Sequence, residues 1–349
     1  MRDEEILALR TGVVWSTEPD VVCLRLTGDD AFDVLDRVCP TDLLVRDGQV
    51  RPSLLLDAEG RVIADAYVGS DDDGYLLFAE GLSPEALAAH LHANTASGAK
   101  VQVQEVTAEH DYVSVHGPYS WELIGELLGP DLIGLPYLYF YRADEILCLR
   151  AGKTGEYGYD LFVPKPRTAE FTARIEEVGR AFDVRRVGLD ALSQCGLENG
   201  FFDVRREGAR GLDPIELGLQ WRVSFRKDHV GSEALAKARA AGWNRRVTTV
   251  IAAAEVAPGD AVTLDEARIG EVLSTGESPL AKAHVALALL DRPFGVAGID
   301  RFAVKRAAGG DPVSIRTVSP PVLNNRSLYV NSQRHAYATR DRDKMPPIA

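Results

Sequence analysis

Two aspartates stand where a carboxylate could do chemistry. Asp65 lies in R-V-I-A-D-A-Y-V, where strand alternation puts Arg61, Ile63, Asp65 and Tyr67 on one face and Val62, Ala64, Ala66 and Val68 on the other. A carboxylate beside Ile63 and Tyr67 is half buried, and burying an ionised carboxylate is costly without a partner. Asp65 is therefore either paired structurally or placed for a ligand. Asp160 closes the stretch R-A-G-K-T-G-E-Y-G-Y-D, Arg150 to Asp160, on a strand whose neighbours Tyr159 and Leu161 face the other way. There it is either a surface acid or an acceptor for two parallel N–H donors, an arrangement that suits a guanidinium-like group or the donor edge of a pterin. In the same stretch Lys153 suits a carboxylate, an anionic ligand tail or an exposed turn, and Glu156 reads as a turn residue.

Gly152, Gly155 and Gly158 punctuate that stretch between apolar runs, which makes it a strand, a turn and a second strand carrying Asp160. It does not close on the G-K-S/T of a phosphate-binding loop, and no long helix follows as in a dinucleotide fingerprint. The four cysteines, Cys23, Cys39, Cys148 and Cys195, lack C-x-x-C spacing, so buried or free thiols are expected rather than zinc or disulfides. His90 and His92 are two apart on a helical segment and point to different faces, so solvent exposure is expected and no metal site. No Ser-His-Asp or Cys-His arrangement can be picked out.

With 349 residues, 46% of them hydrophobic, the chain can bury a large core and form two or three domains. A formal net charge of -13 disfavours nucleic acid or an anionic membrane as partner. No apolar run is long enough to span a bilayer, and M-R-D-E-E lacks the order of a signal peptide, so cytoplasmic residence is the default expectation.

The elements that must position the two aspartates follow from patterning. Strands are expected at Val21 to Leu26, Ser53 to Val68 as a hairpin turning on D-A-E-G, Tyr75 to Ala79, Tyr112 to Val115, and within Leu147 to Val163. Helices are expected at Asp29 to Val38, from a Ser83 cap to Ala93, after His116-Gly117-Pro118 up to Gly129-Pro130, and at Thr168 to Ala181, Gly188 to Glu198 and Ala234 to Ala241. Without regular βαβ alternation the class is α+β. Gly242-Trp243-Asn244 reads as a linker, and from Arg246 short strands between A-P-G-D, S-T-G-E-S-P and A-G-G-D turns indicate a small barrel or sandwich. The divisions are residues 1–241, 245–330 and a polar, partly disordered tail over 331–349.

These motifs are collinear with the glycine cleavage T-protein family of folate-dependent aminomethyltransferases, which the chain resembles from about Gly12 to Val318. The family's R-T-G-Y-T-G-E-x-G-(F/Y)-E looks like Arg150 to Asp160, its G-G-I-x-D-D like Gly60 to Asp65, and its F-Q-G-P like Val115 to Pro118. Its G-L-G-A-R-D-x-x-R-L-E-A-G helix is similar to Gly188 to Gly200. Its T-P-x-E-x-G-L-x-W is similar to Leu212 to Trp221, its K-x-D-F-I-G-x-E-A-L to Arg226 to Leu235, and its G-x-V-T-S-G-x-x-S-P to Gly270 to Pro279.

The resemblance implies a three-lobed α+β cloverleaf with tetrahydrofolate in a central cavity and a C-terminal barrel-like domain. It implies a catalytic role for Asp65, at the family's second aspartate of D-D, and pterin binding by Asp160, with Tyr67, Lys153 and Glu156 as further cofactor contacts. The implied reaction is one-carbon transfer, as a methyl or methylene/aminomethyl group, from a small-molecule amine or methylated donor. The expected partner is a small-molecule substrate, with a carrier protein as the less expected alternative.

Departures from the family pattern are Gly196 at an arginine, Lys153 at a tyrosine, Ala64 at the first aspartate of D-D and Ala79 at an asparagine. The lost arginine leaves open a scaffold that binds or transforms a non-folate small molecule. A non-catalytic folate-binding protein of the iron-sulfur maintenance type is a further alternative, although its K-G-C-Y-x-G-Q-E signature is replaced by R-K-D-H-V-G, Arg226 to Gly231.

Overall fold

The computed structural model describes residues 2–18 and 21–349. Its first lobe is a five-stranded antiparallel sheet in the spatial order Val50–Leu56, Val62–Asp71, Gly74–Glu80, Val22–Thr27, Gln102–Glu105. The expected hairpin is present. Gly60 (φ +78°) turns it, and Asp57 Oδ1 accepts the Arg61 N–H at 2.8 Å. Alternation along Val62–Asp71 sends Ala64, Ala66 and Val68 into a core under helices Ala31–Val38 and Pro84–Ala93. The second of these helices opens on Ser83, whose Oγ accepts the Ala86 N–H at 3.2 Å.

The second lobe is a six-stranded sheet, Arg185–Arg186, Val14–Ser16, His110–His116, Gly158–Pro164, Ile146–Leu149, Phe140–Ala143, parallel only between its first two strands. Helices Ser120–Leu128 and Thr168–Gly179 cover its outer face through Val113, Val115, Tyr159, Leu161 and Val163. The inner faces of the two sheets meet in a third core containing Cys23, Leu76, Phe78, Leu149 and Phe162, with the Phe78 and Phe162 rings 5.4 Å apart. The chain thus stacks helices, sheet, sheet and helices.

The third lobe is a closed six-stranded barrel whose strand order is Arg245–Ala252, Ala283–Asp291, Ala267–Ser278, Ala261–Leu264, Phe302–Lys305, Val313–Val318. Leu197, on helix Leu189–Glu198, packs against barrel residues Leu273, Val285, Leu287 and Leu289. This is the three-lobed α+β arrangement with a C-terminal barrel that the patterning and the resemblance implied.

Two expectations need correction, and one element was not anticipated. The tail is docked rather than partly disordered: Tyr337 is buried against Tyr119 and Phe182, its hydroxyl donates to Asp183 at 2.9 Å, and the Asn324 N–H reaches the Ile348 carbonyl. His92 is exposed, but His90 is half-buried. A helix at Arg2–Thr11, unassigned from pattern, places Arg10 at 0% exposure. All four cysteines are free and buried, and no cluster suited to a metal ion occurs among the described residues. No helix among them is long and apolar enough to cross a membrane.

Candidate functional site

The layer between the two sheets changes character along its length. Where Leu76, Phe78 and Phe162 meet it is apolar, and one pleat further it carries Glu80 and Asp160 on the same strand faces. There the sheets stop touching. A cleft of about 600 Å³, counted out to its open mouth, lies between Tyr67 and Glu80 of the first lobe and Tyr112, His116 and Asp160 of the second. Its remaining walls are the Gly152–Thr154 turn, one face of helix Leu189–Glu198, and the segment Phe201–Arg206.

Asp65 and Glu80 are directly opposite each other on adjacent antiparallel strands, a placement that sets two carboxylates side by side. Like charges there repel. Lys153 is inserted between them, its Nζ 2.7 Å from Asp65 Oδ2 and 2.8 Å from Glu80 Oε1. The second Asp65 oxygen accepts from Arg222 Nη1 at 2.6 Å. The pairing continues outward through Arg205 (3.6 Å from Glu80, 3.0 Å from Asp203), then Arg206 (3.7 Å from Asp203, 3.2 Å from Glu207). Signs alternate along this wall, Arg222, Asp65, Lys153, Glu80, Arg205, Asp203, Arg206, Glu207, so that four cations balance four carboxylates. Burial alone would raise the Asp65 pKa, but Lys153 and Arg222 outweigh it and hold the carboxyl below its usual range. Burial would likewise lower Lys153, and the Asp65 and Glu80 charges raise it instead.

Asp160 stands outside this wall. Its Oδ1 accepts the Tyr112 hydroxyl at 2.6 Å, and no cation among the described residues pairs with it. Burial pushes its pKa up to about 6, against the lowering effect of the Tyr112 hydrogen bond. On the facing strand His116, 4% exposed, lines the same cleft. Neither of its ring nitrogens has a hydrogen-bond partner among the described residues, and burial lowers its pKa to about 4.

Asp160, Lys153 and Tyr67 therefore line one cleft, and Asp65 lies directly behind it, reaching the cleft through Lys153. Glu156 does not belong there, which corrects its expected cofactor contact. Its carboxylate accepts from the Arg326 N–H (3.0 Å), the Ser327 N–H (2.7 Å) and the Ser327 hydroxyl (2.7 Å), and lies 3.4 Å from Arg10. Arg10 also donates to Glu198 Oε2, the Thr154 and Cys195 carbonyls and Asn325, so Glu156 is one corner of a buried knot that ties helix Arg2–Thr11 and the segment Asn325 to Ser327 to the glycine turn.

Residues 2–227 match the family model of the GCVT N-terminal domain. The chain belongs to this family. Among curated relatives it is similar to the aminomethyltransferase of Caldanaerobacter subterraneus subsp. tengcongensis, 27% identical over 280 residues, covering 78% of this chain and 75% of the relative. The aminomethyltransferase of Thermotoga maritima is 26% identical over 298 residues, 83% of this chain and 81% of the relative. The glycine cleavage system aminomethyltransferase T of Bartonella henselae superposes with a TM-score of 0.80 at 21% identity, over 93% of this chain and 90% of that one. The last likeness bears on the fold, which it shares over nearly its whole length.

At Gly196, where the resemblance places an arginine, an added Cβ would lie 3.0 Å from the Lys153 carbonyl oxygen, so the turn occupies the root of that side chain. Guanidinium groups reach the cleft from Arg205 and Arg206 instead. Sequence reasoning missed Glu80, Tyr112, Arg205, Arg206 and Arg222. Glu80 and Tyr112 were legible in principle, by carrying strand alternation one step past Phe78 and one step back from Ser114. The three arginines sit on irregular backbone or a single 3₁₀ turn, where no periodicity reports facing.

Proposed function

We propose that this chain transfers a one-carbon unit, as a methyl or methylene/aminomethyl group, between a small-molecule amine or methylated donor and tetrahydrofolate. The observation that carries the reading is Asp160, a carboxylate facing the cleft whose single donor among the described residues is Tyr112. Its remaining lone pairs suit the paired N–H groups along the donor edge of a reduced pterin. Asp160, Tyr67 and Lys153 are the residues that would hold the cofactor, and Glu156 is not among them. When bound, tetrahydrofolate supplies the ring nitrogen that takes up the one-carbon unit. Asp65, ionised and held between Lys153 and Arg222, fixes the lysine ammonium at the cleft wall and keeps the local charge near zero. Tyr112 holds its proton toward Asp160 Oδ1 and so fixes the orientation of that carboxylate.

The clamp on Asp65 favours one second reading. With each oxygen beside a cation, this carboxylate is less free to receive a proton than one facing solvent. A scaffold that binds another polar small molecule is consistent with that arrangement. Calorimetric titration with tetrahydrofolate decides between the two: saturable binding at micromolar concentration, weakened by Asp160→Ala, is expected. Absence of binding at high micromolar concentration overturns the folate reading.

A further inference from the structure

His116 is a costly residue to bury as it stands. An imidazole with two unsatisfied nitrogens gives up its hydration without compensation, and a leucine would fill the same space more cheaply. The backbone is nevertheless arranged around it. His116 ends strand His110–His116 directly opposite Gly158, and a Cβ at Gly158 would lie 3.0 Å from Nδ1 and 2.4 Å from the Ala151 carbonyl oxygen. A Cβ at Gly152 would lie 3.6 Å from the same nitrogen. A side chain at Gly158 would thus crowd both the Ala151 carbonyl and the ring, one at Gly152 would make ordinary contact with the ring, and the ring borders the cleft. Asp160 lies two residues beyond Gly158, so His116 and Asp160 are diagonal cross-strand neighbours on one sheet face.

We infer that His116 is a ligand-binding residue, a neutral imidazole that donates a hydrogen bond to a carbonyl oxygen of the molecule whose N–H edge Asp160 accepts. The pair then reads a lactam flanked by an amino group, a carboxylate for its donors and an imidazole N–H for its acceptor. Burial depresses the His116 pKa and keeps the ring neutral across the physiological range, so it donates without adding a charge to the cleft. The inference rests on the folate reading, because the 4-oxo pterin edge is such a lactam.

The test is calorimetry with tetrahydrofolate on the wild-type chain and on His116→Leu, His116→Gln and Asp160→Ala, alongside imidazole 15N spectra of the wild type with and without saturating tetrahydrofolate. His116→Leu is expected to weaken binding about tenfold and His116→Gln, which keeps a donor, to recover to within about threefold. The His116 nitrogen resonances of the wild type are expected to move on saturation, a readout that stands even if a variant fails to fold. No binding by the wild type overturns the folate reading and this inference together. Binding that Asp160→Ala weakens while His116→Leu leaves it within twofold, or unmoved His116 resonances at saturation, overturns this inference alone.

Discussion

Lys153 and Glu156 are three residues apart in one turn, yet their charges are spent differently. Glu156 joins Arg10 and Glu198, both fully enclosed, where the hydrogen bonds come from the N-terminal helix, the turn, helix Leu189–Glu198 and the segment after Asn324. Lys153 joins a wall of alternating charges that one side of the cleft leaves open, its side chain 19% exposed. Backbone carbonyls and amides supply much of the bonding in the first cluster, although Arg10 Nε and Glu198 Oε1 have no partner among the described residues, whereas the second is satisfied mainly by side chain against side chain. A network closed by backbone holds a fold together, and one closed by side chains at a cleft can exchange partners with a ligand.

Removing Arg10 separates the two most sharply. Arg10→Ala strands the buried Glu198 carboxylate and removes the cation beside Glu156, which keeps its bonds to Arg326 and Ser327, and should cost about 3–5 kcal/mol of stability in urea unfolding. Under conditions where the variant is folded, tetrahydrofolate affinity should stay within about threefold of wild type. A large loss of affinity with unchanged stability would merge the two clusters into one functional unit.

Asp65→Asn tests the other network. It leaves Arg222 without its carboxylate while Lys153 keeps Glu80, so the stability loss should be smaller, about 2–3 kcal/mol. Turnover should fall by about two orders of magnitude because the ammonium is no longer fixed, with affinity held within about tenfold. The pH dependence has a definite sign. Asp65 has a folded pKa below its unfolded value, so its contribution is present above the ordinary carboxylate range and is lost as pH falls below it. Unchanged turnover in the variant would remove Asp65 from the mechanism.

Most of the fold was legible because alternation and capping are local. Asp57 to Gly60, Ser83 and the Ala64, Ala66, Val68 face acted where the pattern put them. The candidate site was legible only in part. Asp65 and Asp160 were recognisable as strand carboxylates on defined faces, but which cation meets which acid depends on pairs as far apart as Asp65 and Arg222, 157 residues along the chain. Glu156 shows the same limit from the other side: its neighbours in sequence make it a turn residue, and its bonds are made to Arg326 and Ser327, about 170 positions away.

The smallest expected effect concerns a single hydroxyl, beside the cleft but outside both clusters. Tyr112 is the protein donor to Asp160, and its hydrogen bond stabilises the ionised carboxylate against the burial that pushes the pKa to about 6. A pterin donor edge needs that carboxylate ionised, so tetrahydrofolate affinity should fall as pH drops through about 6, approaching tenfold for each further pH unit. Tyr112→Phe removes the stabilising bond and keeps the ring, which packs edge-on against Phe162. The midpoint of the affinity profile should therefore move above pH 6, while affinity at pH 8, where Asp160 is ionised in either form, stays within about threefold. Calorimetry in steps from pH 5 to pH 8 measures both. A midpoint that stays in place in Tyr112→Phe, or moves down, would mean that Asp160 is not the group whose ionisation the ligand reads.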